Sequence, residues 1–108
     1  MKLLTALLLS STLFHAGVAF AGTIHGSCHS DNKDSRIFAV AYVAAIIDLK
    51  GDETTSDGQK VYQMPALDYS QAFDAVCAEI DKRPEWWERP SREAVIVAVD
   101  ALWRRRKD

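Results

Sequence analysis

Hydrophobic residues recur at helical spacing in three stretches of the chain, and polar segments with glycine or proline separate these stretches. In the first, residues 34–50, apolar side chains fall three and four positions apart, as on one face of an α-helix. That stripe consists of Phe38, Ala41, Tyr42, Ala45 and Leu49. Gly51 follows where helices commonly end. Other sides of the helix are also apolar, which predicts a central, heavily buried helix or a contact between two copies.

A second helix is predicted over residues 69–82. Asp68 stands three positions before Gln71, a variant of the capping box that begins many helices. Pro84 is expected to end this helix, because the residue before a proline disfavours helical geometry. The expected buried stripe consists of Phe73, Val76, Cys77 and Ile80.

A third helix is predicted over residues 90–105, with Pro90 in its first turn. Residues 95–97 are β-branched and would also suit a strand, but the alanines and the charged ends fit the helical period better. Residues 22–34 are polar and predict an irregular N-terminal arm, and residues 52–63 predict a surface loop. The fold class expected is therefore all-α, with three main helices.

The first 21 residues have the pattern of a secretory signal peptide. Lys2 precedes the largely apolar residues 3–21, which end in Ala19-Phe20-Ala21, so cleavage is expected before Gly22. An uncleaved membrane anchor is the alternative, since this stretch is 19 residues long. Cleavage leaves a single domain of 87 residues, 22–108, which we expect to be exported to the periplasm.

Charge and histidine content narrow the function classes further. The mature part carries 12 basic and 15 acidic side chains, which argues against nucleic-acid binding, and it has no second apolar run long enough for a membrane. Its only histidines are His25 and His29, both in the arm. With Cys28 they have ligand chemistry, but the spacing matches no established zinc or haem pattern. We therefore expect no enzyme, no cofactor and no metal site.

The two cysteines, Cys28 and Cys77, both lie in the mature part of the chain. In an exported protein an even cysteine count predicts a disulfide. The bridge would fasten the polar arm to the second helix. It would also consume the Cys28 thiolate, which removes the simplest nucleophile from the arm.

Two adjacent tryptophans, Trp86 and Trp87, stand in the short connection before the third helix. A small three-helix core does not easily bury both, and tryptophan is enriched at binding hot spots. We expect Trp86, Trp87 and, from the loop, Tyr62 to contact a partner. The alternative is that one tryptophan packs under the turn while the other shields the loop.

Three motifs together resemble one protein family. Residues 38–48 resemble the "GYVAGVxD" helix of the Rap/Tai-type immunity proteins of type VI secretion systems. Residues 67–71 with 83–85 resemble that family's capped helix and later "hPE", and residues 90–103 resemble its last helix. Ala41 and Ala45 replace common glycines, and the family's usual cysteine positions differ.

The resemblance implies a small helical periplasmic protein that binds a cognate toxic effector, commonly a peptidoglycan amidase, and blocks it without catalysis. The cysteine placement also resembles the periplasmic acid-stress chaperones of the HdeA type, which is the alternative function. In acid the carboxylates neutralise and the chain becomes strongly cationic, so it would loosen and expose apolar side chains to clients.

Overall fold

The computed structural model describes residues 22–106, which form an all-α fold. The helices are α1 (Ile24–Cys28), α2 (Lys33–Gly51), α3 (Tyr69–Asp81) and α4 (Ser91–Trp103), with a 3-10 turn at Pro84–Trp86. The predicted signal peptide, residues 1–21, lies outside the described residues. Three main helices, together with a short fourth helix and one disulfide, confirm the predicted fold class.

The centre of the fold is α3, which packs against each of the other helices. Its start is capped as predicted: Asp68 Oδ1 accepts a hydrogen bond from the Gln71 amide at 2.8 Å, and Gln71 Oε1 accepts one from the Asp68 amide at 3.1 Å. Phe73, Val76 and Ile80 are fully buried. The capped helix therefore supplies the inner face on which α2 and α4 pack.

The N-terminal arm is not wholly irregular, and that prediction was wrong. Residues 24–28 form α1, whose first turn is capped by Thr23: its hydroxyl accepts a hydrogen bond from the Gly26 amide at 3.1 Å. Ile24 is completely buried in the core. One apolar anchor and a cap are enough to order a helix this short when tertiary contacts hold it.

The orientation of α2 differs from the sequence-based expectation. Its buried residues are Ala39, Val43 and Ile47, none of which belongs to the predicted stripe. Phe38 and Leu49, at the ends of that stripe, are 72% and 71% exposed. Both sides of α2 are apolar, so periodicity cannot decide which one meets α3, and only one side is covered by other parts of residues 22–106. The expectation of a heavily buried helix was therefore wrong.

Residues 52–63 form a surface loop, as predicted, with a tight turn at its tip. The Gly58 amide donates to the Thr55 carbonyl at 2.9 Å, and Gly58 has a φ of 86°, which suits glycine. Beyond the turn the loop pairs with the end of α4: the Gln63 amide donates to the Trp103 carbonyl at 2.8 Å. Residues 95–97 are helical, so the strand alternative does not apply.

Candidate functional site

The predicted disulfide is present and fastens α1 to α3. Cys28 and Cys77 are bonded, with their Cα atoms 5.7 Å apart. Ile24 occupies the core beneath the bridge, and Ser27 is also buried. The short helix is therefore held at two points, by a covalent bond and by an apolar anchor.

A cluster of two imidazoles, a carboxylate and an indole surrounds this bridge. His29 Nε2 lies 2.7 Å from Asp81 Oδ1, and His25 Nε2 lies 3.4 Å from the same oxygen. The Trp87 ring stacks on His25 with centroids 4.2 Å apart and planes 7° from parallel. We call His25, His29, Asp81 and Trp87 the histidine cluster. Three of its members carry atoms able to bind a cation, all within 4.8 Å of one another.

The two tryptophans have different environments. Trp86 is 9% exposed and lies under the 3-10 turn, with the Arg83 guanidinium carbon 4.8 Å from its ring centroid. Trp87 is half-buried, and its indole N–H donates to the Ile80 carbonyl at 2.9 Å. Of the pair, Trp87 therefore presents more surface to the outside.

Tyr62 lies at the other end of α4 from the tryptophans. It is 5% exposed, and its hydroxyl donates a hydrogen bond to Asp100. Burial, followed by this hydrogen bond, raises the pKa of Tyr62 above its ordinary value. The three side chains expected to contact a partner are therefore not brought together, and Tyr62 and Trp86 belong to the core. Their part in partner binding stays a prediction.

An open groove of about 500 Å³ runs beside Tyr62, between the end of α2 and the segment that leads into α3. Leu67 and Tyr69 on its wall are 43% and 50% exposed. The Tyr69 hydroxyl donates to Asp48 at 3.0 Å, and this hydrogen bond raises the pKa of Tyr69. The groove thus has a mixed apolar and polar lining, which includes a tyrosine and a carboxylate that are already paired.

The uncovered side of α2 carries three of the large apolar side chains that are exposed among residues 22–106. Ile37, Phe38 and Leu49 are 65%, 72% and 71% exposed. Ala41 and Ala45, also exposed, lie between them on the same side of the helix. We call Phe38, Ala41, Ala45 and Leu49 the outer stripe of α2. The outer stripe therefore has small apolar side chains in its middle and large ones at its ends.

Asp81 is the member of the histidine cluster that sequence reasoning missed. The sequence pairs the two histidines with Cys28 as possible ligands, but the Cys28 sulfur belongs to the disulfide. Asp81 follows Cys77 by one helical turn, while His25 and His29 flank Cys28. The predicted disulfide and the helical spacing between Cys77 and Asp81 were therefore enough to predict that Asp81 lies beside both histidines.

Within residues 22–106, none of the helices combines the length and the apolar character that crossing a bilayer demands. Comparison with known proteins adds no relative to this picture: no protein-family model matches the chain, and neither curated proteins nor solved structures gave a match.

Proposed function

We propose that this protein is a periplasmic inhibitor that neutralises a cognate secreted effector, a peptidoglycan amidase, by forming a stoichiometric complex. The observation that carries the proposal is the outer stripe of α2, an apolar helix side left uncovered although the opposite side packs in the core. Soluble chains seldom expose contiguous large apolar side chains unless they bind something.

The outer stripe has the composition of the centre of a protein interface. Phe38 and Leu49 are large anchors, and the alanines between them allow another backbone to approach closely. Charged side chains border the stripe, with Asp34 near its start and Asp48 near its end, both exposed. An apolar centre with a polar rim suits a complex whose partners are also stable apart.

The scaffold behind the stripe suits rigid binding rather than catalysis. A disulfide fastens α1 to α3, and the capped α3 supports the buried side of α2. A preorganised surface loses little conformational entropy when it binds, which favours a tight complex. We propose no enzymatic activity for the chain.

The proposal is tested by protection of cells. The effector is sought among proteins encoded beside this one and is directed to the periplasm, with and without this protein. Protection by the wild type, with loss of protection by Phe38→Asp, is the expected result. A wild-type chain that reaches the periplasm and leaves the toxicity of every neighbouring effector unchanged would contradict the proposal.

An acid-stress chaperone is the second candidate, and it is supported by two contacts between helices that involve carboxylates. Arg36 on α2 pairs with Asp74 on α3 at 2.9 Å, and the histidines of the α1 end pair with Asp81. Both contacts between helices depend on a carboxylate, so this candidate is tested in strong acid. A chaperone should then lose near-UV dichroism near pH 3 and suppress aggregation of clients. Retained dichroism, with client aggregation unchanged, would eliminate this candidate.

A further inference from the structure

We propose that His25, His29 and Asp81 form a binding site for a divalent transition-metal ion, Zn²⁺ or Cu²⁺. Each residue offers one ligand atom, and the three atoms lie within 4.8 Å of one another. Two imidazole nitrogens and a carboxylate oxygen are ligands that zinc and copper accept, whereas magnesium and calcium prefer oxygen alone. The site is independent of the outer stripe of α2.

The ligand atoms lie within 4.8 Å of one another and must rearrange slightly to surround a small cation. Metal–ligand bonds of about 2.1 Å in a tetrahedral site place the ligand atoms about 3.4 Å apart. His25 Nε2 and Asp81 Oδ1 are separated by 3.4 Å already. His29 Nε2, at 2.7 Å from the same oxygen, must move outward by a fraction of an ångström, and its side chain is 58% exposed and free to do so.

Binding requires the tautomer of His29 that presents a lone pair on Nε2, and no proton leaves the neutral ring. In the tautomer with hydrogen on Nε2, His29 donates a hydrogen bond to Asp81. When the proton resides on Nδ1 instead, Nε2 presents its lone pair to the metal, and the carboxylate oxygen supplies a negative charge. Three protein ligands leave a fourth position for water or for a group from another molecule.

Neighbouring contacts hold the ligands in place. Trp87 stacks on the His25 ring and is itself fixed by its hydrogen bond to the Ile80 carbonyl. The Cys28–Cys77 bridge joins the two segments that carry the ligands, directly before His29 and one turn before Asp81. Such support around the ligands raises metal affinity, because less freedom is lost on binding.

The nearest basic side chains do not oppose a cation. Lys82 follows Asp81 directly, but its Nζ lies 3.6 Å from Glu79 Oε2. Arg83 also turns to Glu79, with Nε at 3.5 Å from Oε1. The Asp81 carboxylate therefore faces the two histidines rather than either of these cations.

The test is calorimetric titration of the protein with ZnCl₂ and, separately, CuCl₂. The protein is expressed from its full coding sequence and purified without a histidine tag. The variants are His25→Phe, which keeps a ring against Trp87, His29→Asn and Asp81→Asn. Asp74→Asn is the matched control, because Asp74 is an exposed carboxylate of the same helix that pairs with Arg36.

We expect one equivalent of metal to bind the wild type and the control, with a dissociation constant at least about tenfold higher in each ligand variant. A second readout uses the wild type alone. Zn²⁺ should shift the NMR resonances of the ring protons of both His25 and His29, and Cu²⁺ should quench the fluorescence of Trp87. Binding that all three ligand variants retain unchanged, or histidine resonances that do not respond to Zn²⁺, would overturn the proposal.

Discussion

At the scale of single residues, two adjacent tryptophans have different roles. Trp86 fills the space under the 3-10 turn, while Trp87 fixes the His25 ring and hydrogen-bonds to the end of α3. Their side chains differ in environment because the tight turn directs consecutive residues to different sides. The sequence could indicate that both would not be buried, but not which one would be.

Trp86→Ala should destabilise the fold by about 3 kcal/mol, because it removes a large buried side chain and leaves a cavity. Trp87→Ala should cost less, since the Trp87 ring is only half-buried. Urea denaturation of both variants, followed by circular dichroism, measures the two differences. Equal free energies of unfolding for the two variants would contradict the assignment of Trp86 to the core.

The three tyrosines predict how stability depends on alkaline pH. Burial raises the pKa of Tyr42 and of Tyr62, where the Asp100 hydrogen bond adds to it; the Asp48 hydrogen bond raises that of Tyr69. A raised pKa in the folded state means that the stabilisation is complete below the unfolded value, about pH 10, and is lost as the pH rises through the folded value.

Stability should therefore fall between about pH 8 and about pH 11, and Tyr62→Phe should reduce that fall by removing one of the tyrosines whose pKa is raised. Urea denaturation at both pH values measures it. The same tyrosines should titrate above their ordinary pKa by ultraviolet absorbance in the native protein and return to it in denaturant. An unchanged pH dependence in Tyr62→Phe would refute the role given to this hydroxyl.

At the scale of elements, the predictability of each helix followed from its local signals. The capping box and a single apolar face specify α3, and both were visible in the sequence. Helix α1 was missed because five residues with one apolar anchor carry too little periodicity, and tertiary contacts order them. The residue range of α2 was predicted correctly but its buried side was not. Two sides of this helix are apolar, and the sequence does not show which one packs against α3.

Removing the disulfide should destabilise the chain by up to about 4 kcal/mol, because 49 positions separate its cysteines and the open loop regains entropy. The variant is Cys28→Ala with Cys77→Ala, compared with the wild type by urea denaturation. Hydrogen exchange should show that α1 loses protection first, since its remaining contacts, made by the buried Ile24 and by His25, are not covalent. Equal protection of α1 in both proteins would contradict this picture.

At the scale of the whole molecule, the core occupies one side of α2 and the candidate binding surface the other. The sequence predicted the helical class and the cross-link, because both depend on local spacing and cysteine count. It did not predict the candidate binding surface, since exposure is a property of the assembled fold. The partner-contact residues expected from composition, Trp86, Trp87 and Tyr62, lie at opposite ends of α4 instead of on one face.

The outer stripe of α2 also has the composition of a contact between two copies of the chain. An outer stripe that paired with itself would give a dimer in solution and leave no apolar side free for an effector. Light scattering of the purified chain should show a monomer that becomes a one-to-one complex when the effector is added. The molar mass measured for the purified chain therefore shows whether the outer stripe is uncovered before the effector binds.

The most direct test is calorimetric titration of the neighbouring effector into three proteins: the wild type, Phe38→Asp and Ala101→Asp. Phe38 lies on the outer stripe, while Ala101 is exposed on α4 and receives the same charge. We predict one-to-one binding for the wild type and Ala101→Asp, and affinity lowered at least about a hundredfold in Phe38→Asp, as for a hot-spot anchor. Equal affinity of all three proteins would contradict the assignment of the outer stripe as the binding surface.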